Sequence, residues 1–156
     1  MIFATVGSHP TFAFERFLRA LEALPGDELV VQHGPGRPPA NASHAVAWMP
    51  FAEVLEQMER AEKVVSHAGT GTILCARRAG HTPVVLPRLR RFEETVDDHQ
   101  VDLGRALAAS GGIVLVEDAE ELAAAVRDAP ARGEARSAAS TDLVEAVRHE
   151  LRDAAS

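Results

Sequence analysis

The feature that most restricts this chain is a regular alternation. Short runs rich in β-branched residues are separated by longer stretches whose apolar residues recur at helical spacing. Such alternation builds βα units, which assemble into a parallel sheet with helices on its faces. Ile2 to Val6 reads as the first strand; beyond Gly7-Ser8-His9-Pro10, Phe14, Phe17, Leu18 and Leu21 repeat at helical spacing until Pro25-Gly26. Leu29 to Val31 reads as a second strand, and the Gly and Pro density of residues 33–39 predicts a mobile loop. Ala45 to Trp48 is a third strand, and Phe51, Val54, Leu55 and Met58 form one face of the helix that follows Pro50. Lys63 to Ser66 is a fourth strand, followed by a helix from about Thr72 to Arg78 that Gly80 closes. Pro83 to Leu86 is a fifth, Val96 to Ala109 a longer helix, and Ile113 to Val116 a sixth strand released by Gly111-Gly112. Asp118 can cap a helix starting near Ala119. The expected fold is α/β, a Rossmann-like doubly wound parallel sheet of about six strands.

A chain of 156 residues that is 46% hydrophobic can bury one core. The expected layout is a domain over 1–128, an Ala/Arg/Gly-rich linker over 129–140, and a last helix over 141–156. That helix would pack on the domain, with Leu143, Val147 and Leu151 on one stripe and Thr141 as its cap. A formal charge of -7 argues against a nucleic-acid partner, because such binding depends on Lys and Arg neutralising phosphates. Cys75 is the only cysteine, so no internal disulfide forms and a reducing compartment is expected; buried, it would act as a small hydrophobe. The chain opens directly into a strand, which predicts no leader peptide. No apolar run approaches the ~20 residues that cross a bilayer. A cytoplasmic chain is therefore expected, touching a membrane only through a partner or a surface patch.

The most informative stretch is Val64 to Leu74, where a strand ends at His67, a Gly-rich turn follows, and a helix begins. Gly69 and Gly71 let backbone amides approach a phosphate, and the helix start adds a partial positive charge. Thr70 and Thr72 can donate hydroxyl hydrogen bonds to the same oxygens, and His67 lies where open α/β sheets bind ligands. The competing reading is a tight structural turn. No Lys-Ser or Lys-Thr follows the glycines and the third glycine of a dinucleotide site is missing, so two familiar phosphate loops are excluded. There is no DxD pair and no His/Cys cluster at ligand spacing, so no metal and no cofactor are expected.

The His67-Ala68-Gly69-Thr70-Gly71-Thr72 run continues into Gly80, Pro83 and Pro87 around a short strand, and then Asp98-His99-Gln100. This series resembles the donor-binding C-terminal domain of GT-B glycosyltransferases of family 28. The likeness extends to free-standing single-domain members, such as catalytic subunits of dolichol-linked N-acetylglucosaminyl transferases and small subunits of bacterial two-part exopolysaccharide glycosyltransferases. It begins at Thr5-Val6-Gly7-Ser8 and runs to about Glu121. Trp48-Met49-Pro50, then Val54-Leu55 and His67, is also similar to the box of plant secondary-product glycosyltransferases, at a slightly different spacing.

The resemblance implies one GT-B half-domain that holds a UDP-sugar as donor substrate. His67 and the amides of Ala68 and Gly69 to Thr72 would grip the diphosphate, and Asp98 with Gln100 the sugar hydroxyls. The turn of Trp48, Met49, Pro50 and Phe51 would border the uracil, while Gly7 and Ser8 would form the cleft floor. Arg88 would offset charge on departing UDP, or is a solvated loop arginine. His9 either takes the acceptor proton or shapes a turn, leaving the base to a partner. Asp97-Asp98 also fits a plain helix cap; Arg88 to Arg91 form a solvated loop or approach anionic lipid phosphates. Where the family often has an acid for the ribose, this chain has Cys75. The implied reaction is inverting transfer of GlcNAc or another hexose to a lipid-linked or polysaccharide acceptor. The implied partner is a membrane-anchored acceptor-binding subunit, and a homo-oligomer of the isolated chain stays open. The competing class is a non-catalytic nucleotide-sugar-binding regulatory module.

Overall fold

In the computed structural model, residues 1–25, 28–134 and 148 are described. Six strands, β1 (Ile2–Thr5), β2 (Leu29–Gln32), β3 (His44–Val46), β4 (Lys63–His67), β5 (Val84–Leu86) and β6 (Val114–Leu115), form one sheet in the order β3-β2-β1-β4-β5-β6. Every pairing is parallel. β1 is central, with Thr5 in register with Gln32 on one side and Ser66 on the other. The five α-helices are α1 (Glu15–Leu21), α2 (Phe51–Arg60), α3 (Thr70–Arg78), α4 (His99–Ala109) and α5 (Leu122–Asp128).

Strand residues alternate between two cores, which is what helices on both faces require. Ile2, Ala4, Leu29, Val31, Val65 and Leu86 pack with Phe17, Leu21, Leu122 and Val126 of α1 and α5. On the opposite face Phe3, Val30 and Val64 meet Met58 and Ala76, while Val85 packs with Ile73, Leu103 and Leu107. The sheet order reverses between β1 and β4, so the loops after these two strands flank a crevice at their carboxyl ends.

Several local expectations are revised. The third strand is His44–Val46, so Ala47 and Trp48 fall in the loop before α2. Met58 is fully buried but Phe51 is 66% exposed, because its first-turn position overhangs the packed layer. Helix α4 begins at His99, not Val96, since Asp97 folds back to accept from the His99 amide and leaves Val96 71% exposed. The 33–39 segment is pinned rather than loose. Gly34 donates to the Ala47 carbonyl, His33 Nδ1 pairs with the Gly36 carbonyl, and the Arg37 amide donates to Glu15.

Asp118 does cap the turn before α5, accepting from the Glu120 amide. Residues 129–134, expected as the start of a linker, are tied to the C-terminal ends of α2 and α3. There Gly133 donates to the Gly80 carbonyl, and Arg132 donates to the carbonyls of Ala79 and Glu59. The rest of that linker and the last helix lie outside the described residues, apart from Arg148, which is helical and exposed. No helix among the described residues is long and apolar enough to cross a membrane.

Candidate functional site

The crevice between β1 and β4 is built around His67. Strand β4 ends at this residue, and its imidazole lies between two glycines, one from each wall. A Cβ on Gly7 would sit 2.5 Å from the ring's Cε1, and a Cβ on Gly69 would fall inside contact distance of Nε2. Both glycines therefore serve the histidine first. Gly7 also needs to be glycine for its backbone, at φ +81°, and its amide donates to Thr5 Oγ1, which in turn donates to Gln32 Oε1 at 2.6 Å.

The residue as a whole keeps partial exposure, but His67 Nδ1 is sealed from solvent without a hydrogen-bond partner. Burial first, and the nearby Arg88 charge second, lower its pKa from 6.5 to about 3. The Thr5 backbone pulls the other way. The imidazole is thus neutral at pH 7. It can shape the turn and donate one N–H, but it brings no positive charge to an anion.

The charge complement comes from helix α3. Its N-cap is Gly69, no side chain caps it, and no acidic residue occupies its first turn. Its first amides are left for a ligand at the positive end of the helix dipole. Gly71 is exposed, and a Cβ there would meet nothing within 4 Å, so space is open in front of these amides. Thr70 and Thr72 are half-buried at the same corner, and Ala68 is buried against the core beneath it.

Arg88 departs from the reading as a solvated loop arginine. It is 3% exposed, hence neither solvated nor free. One guanidinium nitrogen donates to the Phe12 and Glu94 carbonyls and another to the Val6 carbonyl at 2.7 Å. Burial lowers its pKa to about 10, opposed by Glu94, so it stays charged at pH 7. Its own amide donates to Gln100 Oε1, which turns the Gln100 side chain toward the end of β5. Asp98 Oδ1 accepts from the Arg90 amide on the same loop, so Asp97, not Asp98, meets the start of α4. Arg90 and Arg91 are exposed, and Arg91 lies over Phe92.

His9 and Ser8 are exposed. His9 Nδ1 accepts from the Thr11 amide at 3.2 Å, and more weakly from Phe12, which places the ring proton on Nε2. In that tautomer the solvent-facing nitrogen is a donor, so the geometry fits a turn former better than a base. Of the turn before α2, Trp48, Pro50 and Phe51 are exposed, while Met49 packs inward on the core beside Cys75.

Two contributors escaped the sequence reading: Thr5 with Gln32, and Glu94. The Glu94 carboxylate accepts from Arg16 at 3.0 Å and from the Leu89 amide at 2.9 Å. Nothing in the charged run from Arg90 to Glu94 marks this one acid as buried. A groove of about 890 Å³ lies outside the crevice, between α1, Phe92 and the start of α5. Among the described residues no trio of His, Cys, Asp or Glu could hold a metal ion.

The chain is similar to known proteins in sequence and in fold. Over 66 residues the chain is 33% identical to the UDP-N-acetylglucosamine transferase subunit ALG13 of Yarrowia lipolytica, covering 42% of this chain and 32% of that protein. The matched region thus spans about a third of that relative's length. A solved structure, the glycotransferase of kitacinnamycin, superposes with a TM-score of 0.58 over 97% of this chain and 39% of its own, at 24% identity. That likeness concerns the fold alone, one half of a GT-B architecture. The match to the glycosyltransferase family 28 C-terminal domain runs from residue 1 to 155, through the His67 corner, the Arg88 loop and the Gln100 helix alike; the chain belongs to that family.

Proposed function

We propose that this chain is the donor-binding catalytic subunit of an inverting glycosyltransferase. It holds a UDP-sugar while a membrane-anchored partner subunit presents a lipid-linked or polysaccharide acceptor. The observation that carries this reading is the uncapped start of α3 at the point where the sheet order reverses. Amides there favour an anion, and a neutral His67 beside them adds a donor without a competing proton equilibrium. Gln100, whose oxygen is occupied by Arg88, is left with its NH2 for sugar hydroxyls, and exposed Trp48 and Phe51 border the nucleoside end.

In the reaction the acceptor oxygen bonds to the anomeric carbon as the bond from that carbon to the UDP oxygen breaks. The electron pair passes to the β-phosphate, and the helix amides stabilise the growing charge. The acceptor proton goes to a base, which the turn role of His9 leaves to the partner subunit. No cofactor is required in this scheme.

Calorimetric titration with UDP, UDP-GlcNAc, UDP-glucose and a dTDP-sugar tests the donor site. Saturable binding of UDP and at least one UDP-sugar is expected, with dTDP-sugar weaker; no heat with any of them sinks the reading. Co-expression with a membrane-anchored acceptor-binding subunit should create transfer activity. Binding that never yields turnover would instead favour a regulatory nucleotide-sugar module.

The helix start gives a second prediction, with effects of opposite sign on stability and binding. Gly71→Asp places a carboxylate in the first turn of α3, where space is open and the dipole favours it. Stability should hold or rise by roughly 0.5 kcal/mol. Affinity for UDP should fall at least tenfold, because the new charge occupies the anion's place. Unchanged UDP affinity would remove α3 from the site.

A further inference from the structure

We propose that Arg88 is a positioning residue that clasps the wall after β1 to the loop after β5 and sets Gln100 for the sugar, without itself touching the diphosphate. The proposal rests on the donor-site reading above. The geometry is that of a fork with both terminal nitrogens committed to backbone: one bridges the Phe12 and Glu94 carbonyls at 3.0 Å each, and the other reaches the Val6 carbonyl at 2.7 Å. These carbonyls belong to three segments: the end of β1, the approach to α1, and the loop between β5 and α4. The backbone of the same residue fixes Gln100 Oε1 at 3.1 Å.

Val6 immediately precedes Gly7, which holds one face of the His67 ring, so the clasp reaches both the floor of the crevice and its sugar-facing end. Phe14 lies under the guanidinium at 4.9 Å. A second arginine braces the arrangement, as Arg16 donates to Glu94 and to the Pro87 carbonyl next to Arg88. A planar fork that satisfies three carbonyls in fixed directions is not replaceable by the compact ammonium of lysine.

The distinguishing experiment compares wild type, Arg88→Lys and Arg88→Met in binding UDP and UDP-GlcNAc, with circular dichroism as a check on folding. A clasp predicts that both variants raise the ratio of the UDP-GlcNAc to the UDP dissociation constant about tenfold, lysine no better than methionine. It also predicts that Gln100→Ala, which raises that ratio in wild type, adds nothing in the Arg88→Lys background, since one acts through the other.

A direct charge contact predicts otherwise: near wild-type binding for lysine, weakened UDP for methionine, and an additive Gln100 effect. That outcome overturns the proposal. Should Arg88→Lys fail to fold, Glu94→Gln loosens the same loop while leaving the Arg88 charge in place. It is expected to raise the same ratio, and an unchanged ratio counts against the clasp. A wild-type chain that bound neither ligand would sink the donor-site reading itself, whereas normal UDP binding with unaltered ratios would sink this proposal alone.

Discussion

Alanine at Gly69 is expected to destabilise the fold by about 2 kcal/mol, in the range usual for overpacking an enclosed site, and to lower UDP affinity more than tenfold. The added methyl would press on His67 Nε2 and stand 2.7 Å from Cε1. The ring has little room to yield, because Gly7 crowds the same Cε1–Nε2 edge. Gly69 has φ -88° and ψ 128°, an ordinary extended conformation, so the substitution adds no backbone strain and its cost reports the ring contact alone. Gly7→Ala lacks that clarity, since φ +81° would add strain of its own.

The decisive comparison is the double variant. With His67→Ala in place, Gly69→Ala has no ring to collide with and should cost almost nothing further in urea denaturation. UDP binding should not return, because His67 no longer shapes the turn. Stability losses that simply add would show that the two residues do not press on each other.

The sequence carried the fold more clearly than the state of the site's side chains, and the reason is physical. Strands such as Val64-Val65 and Val84-Val85-Leu86 are buried on both faces, so their composition alone announces a parallel sheet. The His67 to Thr72 corner was legible as the place where a strand meets a helix, because glycines mark that junction, but not that Gly69 makes room for the His67 ring. Whether a polar side chain is sealed depends on segments far apart in the chain. Arg88 looks like any arginine after a proline until Val6, Phe12 and Glu94 bring their carbonyls to it from up to 82 positions away.

The charged run from Arg88 to Glu94 hides two enclosed residues among exposed ones for the same reason. Phe51 shows the converse error. Its spacing matches the buried face of α2, but periodicity does not reveal where the neighbouring layer ends. At positions 33–39, glycine and proline fix where the chain turns, while the bonds to Ala47 and Glu15 decide that it is held.

The neutral His67 makes stability depend on pH in a direction that can be worked out. Its pKa is about 3 in the folded chain and near 6.5 when unfolded, so between these values the unfolded chain binds the extra proton. The contribution of this group is fully present above pH 6.5 and is lost as the pH falls toward 3. At pH 5 the loss from this residue is at most about 2 kcal/mol, an upper value because the residue retains some contact with water. His81, enclosed and donating from Nε2 to the Met58 carbonyl, also has its pKa lowered by burial and shifts stability the same way. Urea unfolding of wild type and His67→Asn at pH 7.5 and pH 5.0 isolates the larger effect. The wild-type chain should lose more over this interval, and the asparagine variant should keep only the slope left by His81 and the other titrating groups. Parallel losses in the two proteins would mean that His67 meets water freely, and a ring free to take a proton would not be the neutral wedge that sets the spacing between Gly7 and Gly69.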